Sequence, residues 1–398
     1  MATLRPFRAL RPSPVDAATL AAVPYDVVST EEARALADGN LQSFLRVSRA
    51  ELELPPGIDP YSPAVYERAV ANFERLRKTM VVEREPSVYL YKLRMGAHEQ
   101  TGLAGCWTLD EYERDVIRKH EKTRRDKEDD RTRHMIALKA QTGPVFLTYR
   151  ATHDIDAIAR RAMSAPPLID FEAVDHVRHS LWKASDADAA ALVAAFERVP
   201  ALYIADGHHR AASAARTRRE LHGAGESSTF LGVAFPHDQV QILPYNRVVR
   251  TLGALTAEQF DQAVRERFEV SAGPASPARR GDIAMYFRGQ WQTLRSRVQA
   301  SGDAIRSLDV SVLQEQLLAP VLGIADITTD KRIDFVGGAR GTAALEALVN
   351  SGGAVLAFSL FPVDVEDLMA VSDAGAIMPP KSTWFEPKLR DGLLIHLI

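Results

Sequence analysis

In Ala201-Leu-Tyr-Ile-Ala205-Asp206-Gly207-His208-His209-Arg210-Ala-Ala-Ser-Ala-Ala215 a short apolar run breaks at Asp-Gly, and strong helix formers follow at once. The order predicts a strand over Leu202–Ala205, a tight turn, and a helix running from Ala211 to His222. The first N–H groups of a helix lack intrahelical partners, and the helix dipole favours an anion beside them. Gly207 permits positive φ or close backbone approach, and Arg210 brings a forked donor suited to phosphate oxygens. The bland alternative is that Asp206 and His208 cap the turn while Arg210 forms a surface salt bridge.

This turn is neither a Gly-x-x-x-x-Gly-Lys phosphate loop nor a Gly-x-Gly-x-x-Gly fingerprint. Adjacent histidines suggest zinc, but no His-Glu-x-x-His pattern supplies further ligands, so the metal ligand set stays undefined. His208 and His209 can instead donate to phosphate oxygens or shuttle a proton.

Working outward, Val145–Tyr149, Thr229–Phe235 and Val240–Leu243 are strand-like, as are Val88–Leu93 and Leu103–Trp107 about a Gly-containing turn. Ala157–Ala162 and Ala187–Arg198 are alanine-rich helices. Nearer the start, Ser29 or Thr30 caps a helix from Glu31, Phe44–Val47 reads as a strand, and Ser62-Pro63 opens a helix to Lys78. That helix repeats Val65, Ala69, Phe73 and Leu76 on one face. Alternating strands and helices predict a mixed α/β (α+β) fold. Pro244-Tyr-Asn-Arg247 ends this unit, so we place one domain at 1–250 and a C-terminal α/β domain at 251–398, which can pack into the same core. The latter carries a helix at Ala257–Phe268, a hairpin at Ile283–Phe287 and Trp291–Leu294, a helix at Val310–Leu318, and strands at Ala354–Phe361 and Leu393–Ile398.

Between Arg118 and His134 charged residues crowd out apolar ones. If helical throughout, Glu121–Arg125 and Glu128–Arg131 are ordinary surface pairs contributing a few tenths of a kcal/mol each. The functional alternative is a cleft wall in which Arg124 and Arg131 face phosphate and His120 or Glu121 accepts a proton.

The chain has 398 residues and a formal net charge of −3, which gives no electrostatic reason to expect nucleic acid or an anionic membrane as partner. Its single cysteine, Cys106, excludes an internal disulfide and a multi-thiolate metal site. The start lacks a signal-peptide pattern, and no apolar run approaches the ~20 residues of a membrane span, so a cytoplasmic location is expected.

Several landmarks together resemble the bacterial and archaeal domain of unknown function numbered 1015, whose relatives include SerK-type free-serine kinases. They are Pro24-Tyr-Asp-Val-Val28, His120-Glu-Lys-Thr123, Arg131-Thr-Arg-His134, Gln141-Thr-Gly-Pro144, Asp206-Gly-His-His-Arg210, Leu243-Pro-Tyr-Asn-Arg247 and Met378-Pro-Pro-Lys-Ser-Thr-Trp-Phe-Glu-Pro-Lys388. The resemblance implies a ParB/sulfiredoxin-like nucleotide-binding core in which Gly207, His208, His209 and Arg210 hold phosphate. It implies transfer of phosphate from ADP or ATP to a small hydroxyl compound, free L-serine foremost, with Asp26 or Glu121 as base. Mg²⁺ would be held mainly by phosphates and water, with one carboxylate such as Asp206. A non-catalytic nucleotide-binding regulator and a nucleotide or phosphoester hydrolase are the alternatives.

Overall fold

The computed structural model describes residues 1–298 and 303–398. The chain divides into two units, Met1–Val240 with Pro387–Ile398, and Gln241–Glu386; both mix helices and sheet.

The first unit contains, in order, β1 (Leu4–Arg5), α1 (Thr30–Ala37), α2 (Pro63–Arg77), β2 (Tyr89–Met95), β3 (His98–Thr108), β4 (Ile117–Arg118), α3 (Arg125–Leu138), β5 (Val145–Tyr149), α4 (His153–Ala162), β6 (Ile169–Glu172), β7 (Val177–Lys183), α5 (Asp186–Phe196), β8 (Leu202–Asp206), α6 (His208–Glu220) and β9 (Thr229–Pro236). Its main sheet runs β4-β8-β5-β9-β3-β2-β7-β6, with β1 beside the end of β3. Only the β8–β4 and β9–β5 pairs are parallel, so this is a mixed sheet rather than a doubly wound one. Every residue of β9 is buried, as its unbroken apolar run requires for a strand covered on both faces. Trp107 and Tyr149 both meet Phe196 edge-on, with centroids 5.2 and 5.0 Å apart, which ties the sheet to α5.

A second core lies around Leu10, Leu20, Phe44, Val47, Phe73, Leu138 and Ile395. In α2 the expected face, Val65, Ala69, Phe73 and Leu76, is buried. Ser29 and Glu32 close a capping box on α1, whereas Ser62 makes no side-chain cap bond before α2. Phe44–Val47, expected as a strand, is instead part of a helical turn over Leu45–Ser48. A three-residue step carries both Phe44 and Val47 into this core, where Phe44 meets Phe73; strand alternation would have turned one of them outward.

Two further sequence expectations are corrected here. The charged stretch is not one helix: α3 begins only at Arg125, after β4 and an irregular approach, so Glu121 cannot pair along it with Arg125. The last twelve residues do not belong with 251–386. Ile395–Leu397 pairs between Ala9–Arg11 and Ala140–Gln141, and Ile395 is wholly buried in the second core of the first unit.

The second unit contains β10 (Tyr245–Val249), α7 (Ala257–Arg267), β11 (Phe268–Ala272), β12 (Asp282–Phe287), β13 (Gln290–Ser296), β14 (Ile333–Gly337), α8 (Gly341–Asn350) and β15 (Leu356–Leu360). They form an antiparallel sheet, β11-β13-β12-β15-β10-β14, over a core that includes Phe260, Phe268, Met285, Leu313 and Phe358. Tyr245-Asn-Arg247 thus opens a strand of this unit instead of closing the preceding one. The helix expected over Val310–Leu318 is α-helical from Asp309 to Leu313 and then widens into a π turn.

Candidate functional site

The strand β8 does not end in register. Ile204 pairs with Leu147 and Asp206 with Phe146, so the ladder slips at Ala205. A bulge of this kind bends the strand and re-aims the residue after it. Asp206 is that residue, and Gly207 follows with φ +94°, a left-handed conformation that costs a glycine little. From there α6 starts at His208.

The turn is held by charges that come from distant parts of the chain. Lys388 Nζ lies 3.2 Å from Asp206 Oδ2, and the Arg210 guanidinium lies 3.7 Å from the same oxygen. Arg210 also donates to the carbonyl of Pro144. Burial works against the charge on Asp206, but Lys388 and then Arg210 outweigh it and hold the carboxyl well below the usual range. Neither Asp206 nor His208 caps the helix, and Arg210 is not a surface residue: it is 6% exposed, and its Nε is buried without a hydrogen-bond partner. A Cβ on Gly207 would stand 3.1 Å from that Nε, so the glycine makes room for the guanidinium.

The segment before α3 packs directly on this turn. The His120 N–H donates to His208 Nε2 at 3.3 Å, and the two rings meet edge to face with centroids 4.4 Å apart. The Arg124 N–H donates to His209 Nε2 at 3.0 Å. One turn further along both helices, Ser213 Oγ donates to the Glu128 carbonyl at 3.2 Å. Contacts that advance four residues on each helix mean that α3 and α6 run parallel, with their N-termini side by side. Two positive dipole ends then face the same place, the arrangement in which an anion gains most.

These bonds orient both histidines. Both His208 and His209 accept at Nε2, so any donation to a ligand falls to Nδ1. Burial, followed by His120, keeps His208 well below its ordinary range, with Asp206 opposing. Burial likewise takes His120 down to about 4. Glu121 Oε2 lies 3.7 Å from His208 Nδ1 and is half-buried.

The remaining sequence candidates fall at different depths. Arg124 is exposed and forks onto Asp126. Arg131 pairs with Asp130 at 2.7 Å and lies over the Tyr25 ring at 4.1 Å. Asp26 is exposed, yet its charge acts on Arg210. Its loop is pinned by Arg49, which donates to the carbonyls of Tyr25 and Val28 and to Thr30. Among the described residues no group of three or more His, Cys, Asp or Glu is placed to hold a metal ion.

Three residues of this neighbourhood were not nominated from sequence: Lys388, Arg390 and Asp391. All are buried, and Asp391 bridges to Ala22 by backbone bonds in both directions. The signal available was a charged Lys388-Leu-Arg-Asp391 run set between aromatic and apolar segments, where a surface loop would not need to be followed by a buried strand.

A glycine turn and two helix starts on a mixed sheet thus define the class, a mixed α/β protein whose turn offers backbone N–H groups of the kind an anion favours. The chain belongs to the DUF1015 family of proteins of unknown function, whose model matches residues 4–311. No curated protein matches it. Among solved structures it is similar to C-terminally truncated SbnI from Staphylococcus aureus, at 13% identity over 74% of this chain and 87% of that one, with a TM-score of 0.40. A free serine kinase variant in complex with ADP matches at 14% identity over 71% and 87%, with a TM-score of 0.37. A conserved hypothetical protein from Pyrococcus furiosus matches at 15% over 74% and 95%, also at 0.37. Identities and scores this low do not bear on function. Among the described residues no helix is long and apolar enough to cross a membrane.

Proposed function

We propose that this protein is a phosphotransferase that moves phosphate from ADP or ATP to a small hydroxyl compound, with free L-serine the first acceptor to try. The observation that carries this reading is the pairing of two parallel helix starts at a turn where buried Arg210 keeps an uncommitted N–H. On this reading the first unit is a ParB/sulfiredoxin-like nucleotide-binding core. Gly207 through Arg210 cradle the nucleotide phosphates, with Arg124 at the rim and Arg131 behind.

The groups divide by what they can do. Arg210 stabilises charge on the transferred phosphate, while Lys388 fixes Asp206 beside it. His120 orients His208 through its backbone N–H; with burial taking its ring down to about 4, it is a poor proton acceptor at neutral pH. Asp26 and Glu121 lie nearer solvent, and on this reading they stand on the acceptor's side of the phosphate. Mg²⁺ would enter with the nucleotide, held by phosphates and water, with Asp206 the carboxylate at hand; it would neutralise phosphate charge. The choice of serine rests on the motif resemblance alone.

Titration calorimetry with ADP and ATP tests the cradle. Arg210→Ala and Arg210→Lys should each bind more weakly, the alanine variant by about ten- to a hundredfold, the usual size for a charge-assisted hydrogen bond. Equal affinity in folded variants would refute the clamp. Incubation with serine, nucleotide and Mg²⁺ should yield O-phosphoserine detectable by mass. Nucleotide binding without transfer to any small hydroxyl acceptor would leave a regulator.

A further inference from the structure

Asp391 is 3% exposed, and its surroundings set it apart from the other carboxylates near the turn. Its backbone is fixed by the two-way bridge to Ala22, and the next N–H, of Gly392, donates to the Thr142 carbonyl at 2.9 Å. Its carboxylate lies against Gly143, where a Cβ would come within 2.2 Å of Oδ1. The next residue, Pro144, is the one whose carbonyl receives Arg210, so Asp391 and Arg210 meet opposite ends of one dipeptide. Oδ1 is buried and has no hydrogen-bond partner.

The charges that act on Asp391 come from α6 (Arg210), from the loop after Ala22 (Asp26), from α3 (Arg131) and from its neighbour Arg390. The arginines are bonded elsewhere: Arg210 to Pro144, Arg131 to Asp130, Arg390 to Asp175. A buried carboxylate that three nearby arginines leave unbridged is costly for a purely structural role, because burial without a direct partner is penalised. Asp206, by contrast, is tied to Lys388 as a firm anion and has little basicity to offer.

We propose that Asp391 is the general base of the site, taking the proton of the acceptor hydroxyl as that oxygen attacks the terminal phosphate of the bound nucleotide. The new O–P bond forms as the bond from phosphorus to the nucleotide's bridging oxygen breaks. That oxygen leaves with the bonding electrons, and the hydroxyl proton stays on Asp391 until product departs. This rests on the phosphotransferase reading. Independently of that geometry, burial pushes the Asp391 carboxyl up to about 7, with Asp26 adding to the rise and Arg210, Arg131 and Arg390 opposing it. A base of this strength is matched to neutral pH.

The test compares wild type with Asp391→Asn and Asp391→Glu, reading product by mass and ADP affinity by calorimetry. Wild-type kcat should rise about tenfold per pH unit up to about pH 7 and then level, because the base must be deprotonated. Asp391→Asn should lose about a hundred- to ten-thousandfold in kcat with undiminished ADP affinity, and lose the rising limb. Asp391→Glu should recover part of the rate. An Asn variant within about threefold of wild-type kcat overturns the role, as does a wild-type kcat flat from about pH 5.5 to about pH 8.5. The wild-type profile decides if the Asn variant does not fold. Absence of transfer by wild type itself overturns the phosphotransferase reading and the base with it; transfer that survives Asp391→Asn overturns the base alone.

Discussion

At the scale of single residues, the turn depends on a side chain that is absent. An alanine at position 207 would have to hold φ near +94° and place its Cβ 3.1 Å from the Arg210 guanidinium. The left-handed conformation alone costs a non-glycine residue about 1–2 kcal/mol. Gly207→Ala should therefore lower stability by roughly that amount in denaturant titration, and weaken ADP binding further by displacing Arg210. A variant that binds ADP as wild type does would show that the guanidinium is free to move. Lys388→Met makes a complementary test. It removes the nearest cation from Asp206, so stability should fall by about 1–3 kcal/mol at neutral pH. The loss should shrink as Asp206 is protonated at low pH, because the depressed carboxyl contributes its stability only while ionised.

At the scale of elements, the pairing of α3 with α6 decides what the charged stretch is for. The start of α3 has no side-chain cap of its own; the Arg124 N–H is satisfied by His209 of the other helix. His209→Ala should thus loosen a helix that does not contain it. Hydrogen exchange should quicken at residues 124–128, and the helix start should lose about 1 kcal/mol, the usual value of a cap. Unchanged protection there would mean that the Ser213 bond to Glu128 and the contact of the Thr217 hydroxyl with Met135 Sδ suffice. The same pairing explains why a sequence so rich in charge forms one face of a buried seam. Asp130, Thr132 and His134 point inward, while Arg125, Asp126 and Arg133 remain in water.

At the scale of the whole molecule, buried histidines and the returning C-terminus govern stability. Burial takes His120 and His134 from their ordinary 6.5 down to about 4, and it lowers His179 and His208 as well. Below about pH 6.5 the unfolded chain binds protons that the folded one refuses, so stability should fall as pH drops toward 4. Each of the first two histidines contributes roughly 3 kcal/mol at the limit. Asp391 acts in the opposite sense: its raised carboxyl is charged less readily when folded, so its contribution declines as pH rises from about 4 to about 7. Urea titrations across pH should show the acid loss in wild type and less of it in His134→Gln. Shortening the chain after Glu386 should be far more damaging than any point change. It removes Lys388, Asp391 and the strand that joins Ala9–Arg11 to Ala140–Gln141, and the remainder should lose its cooperative transition.

What the sequence by itself determined is local. The strand, the Asp-Gly break and the helix of the 202–220 stretch are written in neighbouring residues, as are the face of α2 and the Ser29 cap, because periodicity and capping act within a few residues. The family landmarks also lay in the chain, and the family assignment rests on them and on the matched residues. Tertiary structure decided the rest. It turned Phe44–Val47 into a helical step because a core awaited both side chains. It broke the charged stretch at Arg125 and set its start against His208 and His209. It brought Lys388 and Asp391 to a turn some 180 residues earlier in the chain, with Lys388 and Asp206 separated by 182 positions. No spacing rule reaches across such a distance; only the closing strand at Ile395–Leu397, drawn in by the burial of Ile395, puts those charges where they act.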